Sequence, residues 1–289
     1  MSFPKDIGII DCMIGFPVED HRAQFKFITD QTKDRESRET MQFPVEYIFK
    51  DVPEIELSGK DPVAVTLGEM DKFGIQMGLI SMSSDIAKRA FKQHPDRFVP
   101  SGTVDPNRGM EAIRGIVEDY ERYGIRAVGV FPAGTFPQVP INDKKMYPVY
   151  AKCVELGIGA WVNAGIPGPR VRYECQYVGL IDEVMFDFPD LIFVTRHGCD
   201  PWTDLAVKLM LKWPGLHYAT SAWAPKYYPE DVIDFANSRG AEKIIYAGYF
   251  PMGLSLERIM SELPYVPLKD NVWPKFLREN AERVLGLTL

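Results

Sequence analysis

The sequence predicts one α/β domain folded as a TIM (β/α)8 barrel, and three observations carry that prediction. Short, nearly continuous apolar runs alternate with amphipathic stretches along the chain, as parallel strands covered by helices do. Eight such runs can be counted, the number a barrel of this kind needs. A length of 289 residues suits a single barrel domain. The rival fold, a doubly wound open sheet, would place GxGxxG after the first strand, and none is there.

The first run, IGIIDC (7–12), enters a strand almost at the N-terminus, with no apolar leader before it. Residues 15–60, including DQTKDRESRET, form a long polar insertion directly after it, expected to act as a lid or contact segment. An amphipathic stretch at 62–74 leads into the second run at 75–83, and the third follows at 98–105. A helical pattern at 110–123 precedes the run at 127–133. Another, at 143–156, precedes the run at 159–165. The remaining runs, 191–198, 216–223 and 243–250, alternate with helical patterns at 177–188, 204–213 and 230–238. DNVWPKFLRENAERVL predicts a terminal helix over 270–285, within a C-terminal segment spanning 270–289.

Composition narrows the function. Lys plus Arg number 33 against 40 Asp plus Glu, a formal charge of −7, and a pI near 5.3 disfavours nucleic acid or a polybasic membrane contact. No apolar run reaches the roughly 18 residues that span a bilayer. Cys12, Cys153, Cys175 and Cys199 lie far apart, without metal or CxxC spacing, and read as reduced thiols of a cytoplasmic protein.

Chemistry in such a barrel belongs at the C-terminal ends of the strands. The residues there include Asp11, Met13, Asn163, Arg196, His197, Asp200, Trp202, Ser221, Trp223 and Tyr249. His197 reads as a buried, bonded barrel histidine or as a general base or donor. Asp11 reads as an acid that receives backbone N–H groups or as a catalytic acid. His94 is expected at the closed end of the barrel, and His217 is expected to face the helical layer or solvent. The loop TSAWAPKYYP (220–229) gives Trp223, Lys226 and Tyr227 as walls of a pocket or a subunit contact. Arg170, in GIPGPRVR, suits a carboxylate-bearing ligand through its planar fork. No GxSxG elbow, Walker A or HExxH motif is present.

Five stretches carry a family resemblance: HPDRFVPSGTVDP (94–106), AGIPGPR (164–170), FPDLIFVTRHGCDPW (188–202), IIYAGYFPMG (244–253) and FLRENAERVLGL (276–287). With the first strand they resemble the amidohydrolase superfamily, in the branch that includes aminocarboxymuconate-semialdehyde decarboxylase and resorcylate decarboxylase. The resemblance implies hydrolysis or decarboxylation of a small organic substrate. It also implies a zinc or manganese ion held by HxH after strand 1, a His on strand 5, another on strand 6 and an Asp on strand 8. Here Met13 and Gly15 stand at the HxH positions, Asn163 on strand 5 and Tyr249 on strand 8, leaving His197. Gly has no donor, and Met and Tyr are poor zinc ligands, so no metal cofactor is expected; His21 is the one substitute ligand within reach.

Two functions follow. The first is an amidohydrolase-like hydrolase or decarboxylase working without the usual metal on a carboxylated substrate. In it, His197 and Asp11 act in catalysis, Tyr249 and Asn163 donate to an oxyanion, and Arg170 or Arg196 grips the carboxylate. Asp200, Trp202, Trp223, Lys226, Tyr227 and Met13 complete the binding site. The second is a non-catalytic subunit paired with a metal-bearing relative, for example in an oxygenase. Either way an oligomer, homo-dimer or hetero-oligomer, is expected, with contacts from the insertion, the 220–229 loop and WPKFL (273–277). Met13, Asn163 and Tyr249 are expected to converge on His197, with the Tyr249 hydroxyl bonded to a polar neighbour.

Overall fold

A computed structural model describes every residue except 1, 2, 5, 6, 50, 51, 54, 56, 288 and 289. Eight strands form one sheet: β1 (Ile9–Asp11), β2 (Ile75–Ser81), β3 (Phe98–Thr103), β4 (Ala127–Val130), β5 (Gly159–Asn163), β6 (Phe193–Arg196), β7 (Leu216–Ala219) and β8 (Ile244–Ile245). Each pairs in parallel with the next, in sequence order. Helices lie between them, as a parallel sheet requires, and the predicted barrel is the fold observed. The seam between β8 and β1 is joined by Cys12 N, which donates to the Tyr246 carbonyl at 3.3 Å.

The period-two alternation of strands sorts the apolar side chains into two cores. One lies between the sheet and the helices and includes Ile9, Phe98, Phe193 and Leu216. The other fills the barrel and includes Ile10, Met77, Val99, Trp161, Val194 and Ile245, with Ala281, Val284 and Leu285 of the C-terminal helix joining it. His217 shares this inner face, because it pairs with Val194 in register and is followed two residues on by Ala219. It therefore does not face the helical layer or solvent, as the sequence suggested. Burial first, then the Lys243 and Arg283 charges, push it down to about 3, so it is a neutral packing histidine. His94 caps the helix Asp85–Gln93 ahead of β3, at the closed end as expected.

The strands are shorter than their apolar runs. β8 keeps two residues of the run 243–250, because Tyr246–Phe250 turn out of the ladder and form the mouth. The insertion 15–60 contains three short helices, His21–Gln24, Lys26–Thr29 and Arg35–Glu39. The terminal helix is a π-helical turn, Lys275–Glu279, followed by Asn280–Val284. Beyond the insertion, whose short helices were not foreseen, two further α-helices were missed, Asp85–Gln93 and Leu256–Glu262; each starts at a serine, Ser84 or Ser255, whose hydroxyl accepts an N–H of the first turn. Trp273, Phe276 and Leu277 are buried in the chain's own core, so WPKFL supplies no contact surface.

Candidate active site

The mouth of the barrel is shaped by the turn after β6. His197, Gly198 and Cys199 all take positive φ, at 66°, 94° and 60°, an arrangement costly for the two non-glycine residues. Only glycine fits at 198, where a Cβ would lie 2.1 Å from Trp223 Nε1. The turn is held from β7: Ser221 Oγ accepts from His197 N at 3.1 Å, Trp223 Nε1 donates to the His197 carbonyl at 3.2 Å, and Tyr218 Oη donates to the Gly198 carbonyl at 2.9 Å. The strain therefore fixes one imidazole.

That imidazole is neutral. Burial first, then the Arg196 charge, push His197 down to about 3. Its Nδ1 lies 3.1 Å from Ser221 Oγ. Ser221 is fully buried, and its Oγ already accepts the His197 N–H. A hydroxyl proton directed to Nδ1 would leave Nε2–H as the free donor. The Tyr249 ring meets the imidazole edge-on at 5.4 Å, and burial pushes the Tyr249 hydroxyl up to about 12. Among the described residues that hydroxyl has no hydrogen-bond partner in the chain, contrary to expectation, and Tyr249 lines the cavity in the barrel mouth.

Arg196 is the unusual group. Alternation on β6 turns it into the barrel mouth, where its Nε donates to Asn163 Oδ1 at 3.0 Å. Gly129 makes room for it, since a Cβ there would lie 3.3 Å from Nη1. Burial lowers it to about 10, and no carboxylate among the described residues pairs with it.

These groups sit at the base of a cavity of about 670 Å3. Met13, Asn163, Arg196, His197, Trp223, Lys226, Tyr227 and Tyr249 all line it, so eight predicted site residues are gathered in one place. Among the described residues no Asp or Glu does.

Four predicted residues lie elsewhere. Asp11 is fully buried at the β8–β1 seam, where Oδ1 accepts from Gly248 N at 2.8 Å and Met13 N at 2.9 Å. Arg170 pairs with Asp34 at 2.7 Å and Glu36 at 2.8 Å, and stacks over Tyr47 at 4.7 Å. It ties the insertion to the β5 loop through Nη1 and does not line the cavity. Asp200 is exposed beside the β6 turn. Trp202 packs against Tyr173 and Tyr177 outside the cavity.

Several lining residues were not foreseen. Gln176 spans the loops, accepting from Ala133 N at 3.2 Å and donating to the Gly165 carbonyl at 3.0 Å. Phe25, Phe27, Phe43 and Phe49, all from the insertion, roof the cavity, with Phe131 facing them from β4. Their signal was present: five phenylalanines in the insertion, Phe16 among them, need something apolar to cover.

Among the described residues no cluster of three or more His, Cys, Asp and Glu side chains is gathered as a metal site would require. The His21 side chain lies outside what the structure describes. All four cysteines are buried and free, and among the described residues no helix is long and apolar enough to cross a membrane.

The amidohydrolase family model (Amidohydro_2) matches residues 85–287, well over half of the chain. The chain belongs to the amidohydrolase family. This is an enzyme family, and solved structures place the chain within its fold. An uncharacterised TIM-barrel protein from Bordetella bronchiseptica is 23% identical with a TM-score of 0.74, over 96% of this chain and 98% of that one. A 5-carboxyvanillate decarboxylase from Sphingomonas paucimobilis is 14% identical with a TM-score of 0.68, over 98% and 100%. Its counterpart from Novosphingobium aromaticivorans, solved with manganese and a nitrobenzoic acid, is 16% identical with a TM-score of 0.68, over 99% and 98%. No curated protein matches the chain.

Proposed function

We propose that this amidohydrolase is a metal-independent decarboxylase of a small aromatic acid. The observation that carries the reading is Arg196, a half-buried cation open to a cavity in which no described residue is acidic. A partly desolvated charge without an anionic partner is costly, and an anionic ligand relieves it. The planar fork suits an acid whose carboxylate stands beside a second oxygen, as in an ortho-hydroxybenzoate. The decarboxylases among the similar structures act on acids of this general kind.

Hydrolysis is the weaker fit. It needs a base to activate water. His197 is held near 3, and among the described residues no carboxylate lines the cavity. Decarboxylation needs no such base. The ring carbon that bears the carboxylate first takes a proton relayed from solvent through the mouth while the ortho hydroxyl gives up its own, which leaves a ring ketone beside the carboxylate. The bond between that carbon and the carboxylate then breaks, carbon dioxide leaves, and the electron pair restores the aromatic ring and gives the oxygen a phenolate charge, which solvent protonates. Arg196, His197 Nε2–H and the Tyr249 hydroxyl meet that growing charge, which stabilises the transition state over the ground state.

The family's divalent ion does not fit this residue set. Gly15 offers no donor, Asn163 Oδ1 is taken by Arg196, and a guanidinium in the same mouth repels a dication. The structural-subunit alternative gains nothing from a large cavity with an unpaired cation at its base. An oligomer is proposed on a different ground: Phe27, Ile48 and Tyr227 are 54%, 52% and 57% exposed around the cavity rim. Light scattering giving a clean 32.8 kDa monomer at micromolar concentration would count against it.

The test of the reaction is carbon dioxide release from a panel of ortho-hydroxylated benzoates by chelator-treated enzyme. Turnover that survives chelation and disappears in Arg196→Met supports the reading. Turnover restored only by added manganese overturns it.

A further inference from the structure

The cavity is divided between two chemistries. Its base holds the polar groups Arg196, Asn163, His197 and the Tyr249 hydroxyl, all within the barrel mouth. Its upper part is walled by aromatic rings, most of them from the insertion. Phe43 lies 5.0 Å from Phe25, 6.1 Å from Phe49 and 6.4 Å from Tyr249, and Phe27 meets Phe131 edge-on at 6.5 Å. Rings at these separations pack on one another, so together they form a continuous aromatic wall to the cavity.

Size sharpens the point. About 670 Å3 has room for roughly twenty water-sized atoms at about 30 Å3 each, around twice what a single-ring acid fills. An apolar chamber left half empty by its ligand gains little from being apolar.

Charge is specified as closely. Two further cations line the rim, Lys226 and Arg258, and they share one carboxylate, Glu262, 3.9 Å from Lys226 Nζ and 3.1 Å from Arg258 Nε. The cation at the base has no such carboxylate among the described residues, so the anionic end of the ligand belongs there. A cationic substituent would find no acidic side chain among the described lining residues.

We infer that the substrate is a two-ring aromatic carboxylate, with its acid end on Arg196 and its second ring beneath Phe43 and Phe49. The inference rests on the proposed function for the acid end only; the size and apolarity of the far end are independent of it. Arg170 supports this arrangement from outside, because its pairs with Asp34 and Glu36, together with the Tyr47 hydroxyl donating to the Gly168 carbonyl, hold the phenylalanine-bearing insertion over the mouth.

Calorimetry on the intact protein tests it with three probes: salicylate, 1-hydroxy-2-naphthoate and the amide of the latter. Burying a second ring is expected to tighten binding tenfold or more from salicylate to the naphthoate. The amide should lose at least tenfold relative to the naphthoate. Phe43→Ala should narrow the naphthoate-to-salicylate ratio, with a thermal melt to show that the variant is folded. Equal affinity for the one-ring and two-ring acids, with the amide still rejected, would overturn the two-ring inference and leave the acid site standing. Failure to distinguish acid from amide would overturn the acid site, and the inference with it.

Discussion

Two charged side chains sit in this barrel's mouth, and they have opposite meanings. At the β8–β1 seam, Asp11 is enclosed, and two backbone N–H groups and the Tyr246 hydroxyl point at its carboxylate. Across the mouth, Arg196 has one chain partner and an open cavity beside it. Both are shifted by burial toward their neutral forms, Asp11 up to about 7 and Arg196 down to about 10. The shift alone does not separate them. What does is whether the chain itself satisfies the group: Asp11 is a fastening, and Arg196 is the group that the proposed substrate would meet.

The largest expected effect tests the fastening. Asp11 is raised from 3.8 to about 7, so the folded state holds its proton more tightly than the unfolded chain does. Its stabilisation is full below about pH 4 and is lost as pH rises through about 7. Between about pH 5 and pH 9 the loss amounts to about 3 kcal/mol. Asp11→Asn keeps an oxygen for both N–H groups and does not titrate. Denaturant melts should therefore show the variant gaining on wild type by that amount across the same interval. The two buried histidines shift in the other direction, but they are common to both proteins and cancel. A gap that stays constant with pH would show that Asp11 is not buried in the way described.

Next comes Arg196. Arg196→Met replaces a half-buried cation with an apolar side chain of similar length. Affinity for an aromatic acid should fall at least about a hundredfold, the usual cost of removing one partner of a desolvated ion pair. Stability should hold or rise, because the desolvation penalty goes with the charge. Loss of folding together with binding would make Arg196 a structural residue and erase the contrast with Asp11.

Tyr249→Phe is smaller and more selective. Its hydroxyl has no chain partner among the described residues, so stability should change by less than about 0.5 kcal/mol. The proposed oxyanion loses one of its donors, and kcat should fall by about tenfold or more with KM little changed. Equal activity would confine Tyr249 to packing against Phe43 and Phe49.

The barrel was readable from the sequence because strand and helix periods repeat eight times, and a local error in one unit does not alter the count. The site was readable where it sits on strand ends: Met13, Asn163, Arg196, His197 and Tyr249 all reach the cavity. It was unreadable where long-range pairing decides. Arg170 carries the right chemistry for a carboxylate, but Asp34 and Glu36, distant in sequence, already occupy it. Asp11 could be assigned only after Gly248, 237 residues away, was seen to donate to it. The roof phenylalanines had composition as a signal but no period to say which face they share.

The smallest effect concerns Ser221, which sets His197 rather than touching a ligand. Its hydroxyl accepts the His197 N–H and lies against Nδ1, each at 3.1 Å. Ser221→Ala removes both contacts and leaves a buried N–H and a buried ring nitrogen unserved. Stability should fall by about 1 kcal/mol. The imidazole should then populate both neutral tautomers, so that Nε2–H faces the cavity only part of the time, and kcat should drop by about threefold with KM unchanged. A purely structural serine would produce the same stability loss, so the deciding measurement is the nitrogen NMR spectrum of the His197 ring. Wild type should show a single Nε2–H form and the alanine variant a mixture, with Ser221→Thr restoring the single form. A spectrum unchanged by Ser221→Ala would mean that something other than this hydroxyl orients the ring, and His197 would then join Asp11 as a group the fold satisfies on its own terms.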